Sequence, residues 1–358
     1  MTARTEGLLE TGPFSLTATA KRDLFEAEIG ALTRHHYARC APYRNMLDAL
    51  GFEPASGHAL ADFPFLPARI FKTLDLASVP PEEIRKVLTS SGTGGQPSRI
   101  PLDAATAGMQ TKVLNRIVGN IIGPKRLPML VIDARSTLGA RRELSARGAA
   151  IAGFSIFGRD HTYALTDDME LDLPAVEAFV ERHSGEPVLV FGFTFVVYQH
   201  FVTALRDKGR RLALDRAVLI HGGGWKKLAD RAVDNATFKA MLADTAGIRR
   251  VHNYYGLVEQ TGSIFVECES GRLHCSDFSD VIIRSPEFAV LGTGERGMIE
   301  LISLLPGSYP GHVLLTEDEG SMTGEDDCPC GRKGKTFQVH GRVAKAEIRG
   351  CSDTRPTH

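Results

Sequence analysis

Three groups of residues in this sequence have the types and spacing to do chemistry. The first is the stretch 88–102, in which Thr89, Ser90, Ser91 and Thr93 share seven consecutive positions with Gly92, Gly94 and Gly95. Glycine lets the backbone turn tightly, so that amides and hydroxyls converge on one anion, and this is the composition of a loop that holds phosphate. A P-loop would run Gly-Lys-Ser/Thr into a helix. Here the loop ends Gln96-Pro97-Ser98 and returns to an apolar run at 100–102, so the Walker arrangement is excluded. A solvated turn between two strands is the simpler alternative.

The second group lies in loops that follow apolar runs: Phe191-Gly192-Phe193-Thr194, His221-Gly222-Gly223-Gly224-Trp225-Lys226-Lys227, and Asn253-Tyr254-Tyr255-Gly256-Leu257-Val258-Glu259. The three consecutive glycines let a flat ring approach the backbone, and the single tryptophan can pack beside it. The third group is cysteine-based. Five of the six cysteines (Cys268, Cys275, Cys328, Cys330 and Cys351) come after position 265, with Cys40 alone upstream, a placement that suits metal or thiol chemistry better than a disulfide framework. Cys328-Pro-Cys330 with Cys268 and either His274 or Cys275 offers the four soft or borderline ligands that a closed structural Zn²⁺ site needs. If 272–276 is a strand, His274 and Cys275 face opposite sides and only one of them ligates.

These loops require a scaffold. Apolar residues at helical spacing between 19 and 50, interrupted by Pro42, predict two helices, and a third is predicted over 104–121. Compact apolar runs at 129–133, 188–193 and 217–221 alternate with helix-like segments, the pattern of an α/β fold with largely parallel strands. In such folds ligands gather beyond the carboxyl ends of the strands, where the second group of residues falls. After position 265 shorter β-like pieces (280–283, 297–305, 311–315, 336–339) predict a separate β-rich lobe. The expected organisation is a body at 1–265, a β-rich lobe with the candidate zinc site at 266–340, and a tail at 341–358 carrying Cys351.

The totals narrow the function class. The 358 residues are 43% hydrophobic and carry 42 basic and 43 acidic side chains, a net charge of -1 that gives no long-range attraction for nucleic acid or an anionic membrane. The first 25 positions are interspersed with charge and lack the apolar core of a signal peptide, and no apolar run approaches 18 residues. A cytoplasmic protein without membrane insertion is expected.

The loop Ser90-Ser91-Gly92-Thr93-Gly94-Gly95 resembles the Ser-Ser-Gly-Thr-Thr-Gly signature of the adenylate-forming superfamily, with Gly94 in place of the second Thr. Tyr255-Gly256-Leu257-Val258-Glu259 resembles that superfamily's Tyr-Gly-x-Thr-Glu, with Val258 in place of Thr, and Thr316-Glu317-Asp318 and Gly341-Arg342 resemble its Thr-Gly-Asp and the Gly-Arg that opens its hinge. Within the superfamily, Phe71-Lys72, Gly192-Phe193-Thr194-Phe195, the 221–227 stretch and Glu347-Ile348-Arg349-Gly350-Cys351-Ser352-Asp353 resemble the acyl-protein synthetases of the bacterial bioluminescence operons, across roughly 63–353.

The resemblance implies the N-terminal-domain fold of adenylate-forming enzymes: parallel sheets flanked by helices and a smaller β-rich lobe. Because only seven residues follow Cys351, it also implies that the mobile C-terminal domain is missing. It implies ATP and Mg²⁺ as cofactors and a two-step reaction, in which a carboxylic acid becomes an acyl-adenylate and the acyl group then passes to Cys351 and on to a partner protein. By the same resemblance, Ser90 to Gly95, Gly222, Gly223, Gly224, Tyr255, Gly256, Asp318 and Arg342 hold the nucleotide, with Asp318 and Arg342 on the ribose. Glu259 holds Mg²⁺, Lys226 or Arg99 balances phosphate charge, and Phe193, Thr194, Tyr198 and Gly224 line the pocket of a fatty or other hydrophobic acid. Relatives of the phenylacetate-CoA ligase type show a similar Cys, His, Cys, Cys pattern, which favours His274 as the fourth zinc ligand. Two rival functions are kept: adenylation with transfer to CoA, a carrier-protein thiol or an amine, and a nucleotide-binding regulatory subunit without turnover.

Overall fold

The computed structural model of the chain describes residues 3–90, 96–139, 146–225 and 230–343. Its contacts divide the chain into two units, one made of Met1–Ile121 with Gly256–Glu347 and the other containing Ile122–Tyr255.

The first unit opens with helices α1 (Ala3–Gly7), α2 (Ala18–Arg39) and α3 (Ala41–Ala49). Pro42 accounts for the break: it sits in the first turn of α3, where its missing N–H has no partner to lose, and α2 ends on the extended residue Cys40. Strand β1 (Leu66–Pro67) and a 3-10 turn at Ala68–Lys72 lead to a hairpin of β2 (Lys86–Thr89) and β3 (Arg99–Leu102), whose last paired residues are Thr89 and Arg99. The hydroxyl and glycine stretch is therefore the connection of this hairpin. Helix α4 (Ala104–Ile122) follows, capped by Asp103 Oδ1, which accepts from the Thr106 N–H at 2.7 Å; it buries Met109, Val113, Ile117 and Ile121 on one face.

The second unit is the parallel α/β layer. Its elements are β4 (Leu127–Ala134), α5 (Ala146–Phe154), β5 (Gly158–Leu165), α6 (Leu173–Arg182), β6 (Val188–Phe193), α7 (Thr194–Val196) running through a π-helical segment into α8 (Ala204–Asp207), β7 (Ala217–Gly222), α9 (Asn235–Ala246) and β8 (Arg250–Tyr255). The strands lie in the order β8-β7-β6-β4-β5, every neighbouring pair parallel. Every residue of β6 and β7 is buried, which explains why these strands read in the sequence as unbroken apolar runs rather than as alternation.

The chain then returns to the first unit with β9 (Phe265–Glu267), β10 (Leu273–His274), β11 (Ser279–Arg284), β12 (Arg296–Ser303), β13 (Val313–Glu325) and β14 (Lys335–Arg342), in the order β11-β12-β13-β14-β10-β9, with all pairs given a register antiparallel. Strand β1 adds to β13 in parallel, Leu66 opposite Leu314. The core of this unit joins the N-terminal helices to those strands, with Tyr43, Leu47, Leu66, Phe71, Ile100, Leu102, Tyr309 and Leu314 in one cluster.

The α/β class, the helices and the β-rich segments follow the sequence pattern. The division of the chain follows a different course from a body at 1–265 followed by a lobe at 266–340. The first 121 residues belong with the β-rich segments, because β1 and the N-terminal apolar residues complete their sheet and core. Gly341 and Arg342 are the last residues of β14, paired with Glu319 and Asp318, rather than the start of a tail. Among the described residues no helix is long and apolar enough to cross a membrane.

Candidate functional site

In the first unit the site is built around Glu259. The short 3-10 turn Val258–Gln260 is pinned from three directions. The Gln260 carboxamide donates to the carbonyls of Leu301 and Gly311 at 3.1 and 2.9 Å. The Tyr309 hydroxyl donates to the Glu259 carbonyl at 2.7 Å, and the Ser98 hydroxyl donates to Glu259 Oε1 at 2.6 Å. Glu259 is buried, and burial raises its carboxyl above the usual range, opposed by the Ser98 hydrogen bond and by the charges of Lys72 and Arg342. A fixed carboxylate oxygen is the type of donor that hard divalent ions take.

Ser98 also ties this carboxylate to the glycine loop. Its N–H donates to Ser90 Oγ at 2.9 Å and its carbonyl accepts from the Ser90 N–H at 3.3 Å, so the two ends of the loop close on each other. Ser90 is buried at that closure. The remaining predicted loop residues, Ser91, Gly92, Thr93, Gly94 and Gly95, lie outside the described residues, as do Lys226 and Cys351. Arg99 is described and forms an exposed ion pair with Asp75 at 3.0 Å.

Asp318 and Arg342, chosen from separate motifs 24 positions apart, are cross-strand partners on β13 and β14, with Arg342 Nε 3.7 Å from Asp318 Oδ1 and its Nη1 4.0 Å from Glu317. A Cβ added at Gly256 would stand 3.3 Å from the Ile264 side chain, a tight contact that Ile264 would relieve by a shift of a few tenths of an ångström.

In the second unit the predicted acid-pocket residues cluster at the carboxyl ends of β6 and β7. Thr194 Oγ1 lies 2.9 Å from His221 Nδ1 and 3.1 Å from the Gly222 carbonyl. One arrangement satisfies both contacts: His221 Nδ1–H donates to Thr194, and Thr194 O–H donates to Gly222. Burial holds the His221 imidazole down to about 3, so it is neutral at physiological pH, and the arrangement then places its hydrogen on Nδ1. The glycines are needed where they stand. A Cβ on Gly222 would meet the Tyr254 ring at 2.7 Å; one on Gly223, whose φ is +83°, would meet Phe193 at 2.6 Å. Gly224, also at positive φ, has open space around its Cβ position. Tyr198 packs edge-on to Trp225 with ring centres 4.9 Å apart, and Trp225 in turn meets Phe238 of α9. Tyr255 is half-buried at the end of β8.

The thiol and imidazole group comes together in the first unit. The ligand atoms of Cys268, His274, Cys328 and Cys330 lie within 4.8 Å of one another, with Cys268 Sγ 3.6 Å from Cys328 Sγ and Cys330 Sγ 3.4 Å from His274 Nε2. The edges of a tetrahedron around Zn²⁺ with bonds of about 2.3 Å are roughly 3.8 Å, so the spacing fits such an ion. Burial, with Arg332 and Arg272 nearby, holds the His274 imidazole down to about 4, which keeps its lone pair available. Cys275 stands apart. Burial pushes its thiol up to about 12, and its electrostatic neighbours are Lys21, Asp280 and Lys335 rather than the four-residue group. Strand β10 ends at His274, so Cys275 follows the strand rather than alternating within it, and it is His274 that joins the group.

Ser98 and Tyr309 are residues at the candidate site that sequence reasoning missed. Ser98 carried a signal, as a hydroxyl placed where the glycine loop returns to its strand. Tyr309 carried none, since its bond to the Glu259 carbonyl joins distant parts of the chain.

Comparison with known proteins fits this arrangement. Residues 2–356 match the family described as acyl-protein synthetase, LuxE. A long-chain-fatty-acid–luciferin-component ligase of Vibrio harveyi is 23% identical over 345 residues, covering 89% of this chain and 84% of the relative, and the same-named ligase of Aliivibrio fischeri is 23% identical over 333 residues, covering 88% and 84%. Among solved structures, an open conformation of 2-hydroxyisobutyryl-CoA ligase in complex with 2-HIB-AMP and CoA superposes with a TM-score of 0.72 at 16% identity, over 92% of this chain and 71% of that one. This last likeness is one of fold.

Proposed function

The chain belongs to the acyl-protein synthetase family, and from that premise we propose that it activates a carboxylic acid with ATP and passes the acyl group to Cys351 and then to a partner protein. The observation that carries the first half is Glu259: a buried carboxylate, fixed by Ser98 and Tyr309 and joined through Ser98 to the ends of the glycine loop. In the adenylation step a carboxylate oxygen of the acid attacks the α-phosphorus of ATP, and pyrophosphate leaves with the bond pair. Mg²⁺, when bound at Glu259, supplies neutralising charge for the phosphates. Ser90 and the glycine loop hold the phosphate, and Asp318 with Arg342 holds the ribose. Thr194 and the glycines at 222–224 line the acid pocket with Phe193 and Tyr198. In the second step the Cys351 thiolate attacks the acyl carbon and AMP departs, leaving a thioester.

The names of the relatives favour a long-chain fatty acid as donor, and the aromatic lining of the second unit suits an apolar chain. The Cys268, His274, Cys328 and Cys330 group holds one structural Zn²⁺. The deciding experiment is pyrophosphate release from ATP and Mg²⁺ across a panel of fatty, aryl and amino acids, with Glu259→Ala alongside. Acid-dependent release that the substitution lowers at least a hundredfold is expected. Binding of ATP without release for any acid would overturn the reading in favour of a regulatory subunit.

A further inference from the structure

Ser98 is bonded on both sides in a way that phosphate binding alone does not require. It is fully buried. Its main chain closes the glycine loop on Ser90 through two hydrogen bonds of 2.9 and 3.3 Å, while its hydroxyl lies 2.6 Å from Glu259 Oε1, 161 positions away in the sequence. An ionised carboxylate only accepts, so the Ser98 hydrogen points at Oε1. The main chain of Glu259 is held independently, by Tyr309 at its carbonyl and by the Gln260 carboxamide one residue on. With backbone and Oε1 both fixed, the carboxylate has one orientation, and Oε2 is the oxygen it can offer.

We propose that Ser98 is a positioning residue for the divalent cation of the adenylation step. By occupying Oε1 it presents Oε2 as a single-oxygen ligand, and because the same residue bonds Ser90, the carboxylate and Ser90 are set as one piece. This inference rests on the adenylation reading and on Glu259 as the metal carboxylate. It differs from a packing role in what it affects: the cation requirement, rather than the affinity for ATP or acid.

The test is Mn²⁺ binding to the full chain with ATP, read by electron paramagnetic resonance, alongside ATP–pyrophosphate exchange at saturating ATP and acid titrated with Mg²⁺, for the wild type, Ser98→Ala and Ser98→Thr. Ser98→Ala is expected to weaken Mn²⁺ binding about as much as it raises the Mg²⁺ requirement. Ser98→Ala is expected to raise the Mg²⁺ concentration for half-maximal rate about tenfold, the scale of a lost hydrogen bond to a charged group, with less than a threefold fall in the rate at saturating Mg²⁺. Ser98→Thr, which keeps the hydroxyl, is expected to stay within twofold of the wild type. An unchanged Mg²⁺ requirement in Ser98→Ala overturns the proposal while leaving adenylation standing. If Ser98→Ala does not fold, Ser98→Cys, close to it in size and a weak donor, takes its place: a raised Mg²⁺ requirement supports the proposal and a wild-type one overturns it. A wild type that exchanges no pyrophosphate with any acid removes the adenylation reading and this inference together.

Discussion

Tyr309 donates its hydroxyl hydrogen to the main-chain carbonyl of Glu259 at 2.7 Å, and its ring packs edge-on against Phe71 with centres 5.8 Å apart. The carboxylate proposed as the metal ligand is thus held from its own backbone by the core of the first unit. Gly311 leaves room for this, since a Cβ there would stand 2.3 Å from the Tyr309 ring and 3.0 Å from the Glu259 carbonyl. Tyr309→Phe keeps the ring and removes the donor, leaving a buried carbonyl unpaired at a cost of about 1–3 kcal/mol. Denaturant unfolding should show that loss, and pyrophosphate release should fall severalfold at subsaturating Mg²⁺. Unchanged stability would show that the carbonyl finds another donor.

The zinc reading predicts about one equivalent of metal per chain in protein purified without chelator. Three of the four ligands are buried, and Cys330 is the more open one, beside a groove lined by Phe14, Glu269 and Arg332. Removal of the ion leaves three thiols and an imidazole packed together without the bonds that join them, so a strong chelator should lower the melting temperature by many degrees. Cys268→Ser should purify with less than a tenth of an equivalent, whereas Cys275→Ser should keep its metal. Metal analysis of the three proteins decides the matter, and a metal-free wild type would refute the site.

The part of the site legible in the sequence was the part held in short motifs. The hydroxyl and glycine loop with Ser90, and the cysteines with either His274 or Cys275, are legible from residue types at local spacing, whereas Glu259, Asp318 and Arg342 stand out only through their resemblance to adenylate-forming motifs. Asp318 and Arg342 belong to two separate motifs, and the register of β13 on β14 puts them opposite each other. What the sequence hid was long-range. Nothing local in Leu66-Pro67 announces that it will pair with Leu314, so the N-terminal 121 residues read as part of the parallel body. Likewise Tyr309 lies in a Pro/Gly/Ser loop whose composition says only that the chain turns, and its hydrogen bond to Glu259 spans 50 positions.

Gly223 separates steric need from mere preference. Its φ of +83° and the Phe193 ring 2.6 Å from a would-be Cβ make Gly223→Ala costly twice over, by about 1 kcal/mol for the backbone and by about 1–3 kcal/mol for displacing the ring. Gly224→Ala meets open space and bears only the backbone cost. If Phe193 lines the acid pocket, Gly223→Ala should raise the KM for the acid more than the KM for ATP. Steady-state kinetics of the two variants with the acid named by the panel will show it, and equal effects on both substrates would remove Phe193 from the pocket.

The stability of the fold should be sensitive to acid. His36 and His312 stack in the first unit with ring centres 4.9 Å apart, His36 bonded to Ser78 and the Pro306 carbonyl and His312 to Thr33. Burial and the neighbouring imidazoles hold His36 well below 6.5, and burial holds His312 and His221 down to about 3. The native state therefore binds no proton at these residues where the unfolded chain does. Stability is fully present above pH 6.5 and is lost as pH falls toward 3, at about 1.4 kcal/mol per unit for each such histidine. At about pH 4.5 two of them remove roughly 5 kcal/mol, comparable with the whole stability of many domains. His312→Gln keeps an amide in reach of Thr33 and removes one titration, so the slope of unfolding free energy between about pH 6 and 5 should drop by about 1.4 kcal/mol per unit. An unchanged slope would mean that His312 is protonated in the native protein.

In the proposed reaction Cys351 carries the step that separates an acyl-protein synthetase from the other enzymes that make acyl-adenylates. A thiolate is a strong nucleophile toward a mixed anhydride, and Lys345 and Arg349, close in the sequence, would favour its charged form. Incubation with labelled fatty acid, ATP and Mg²⁺ should leave label on the acid-precipitated protein, and neutral hydroxylamine should release it, as it does a thioester and not an amide. Cys351→Ala should keep acid-dependent pyrophosphate release within a few fold of the wild type and lose the precipitable label. The two measurements divide the reaction between its steps. Release without label in the wild type would assign the second step to an outside thiol or amine such as CoA, and equal label in Cys351→Ala would place the acyl group on another residue.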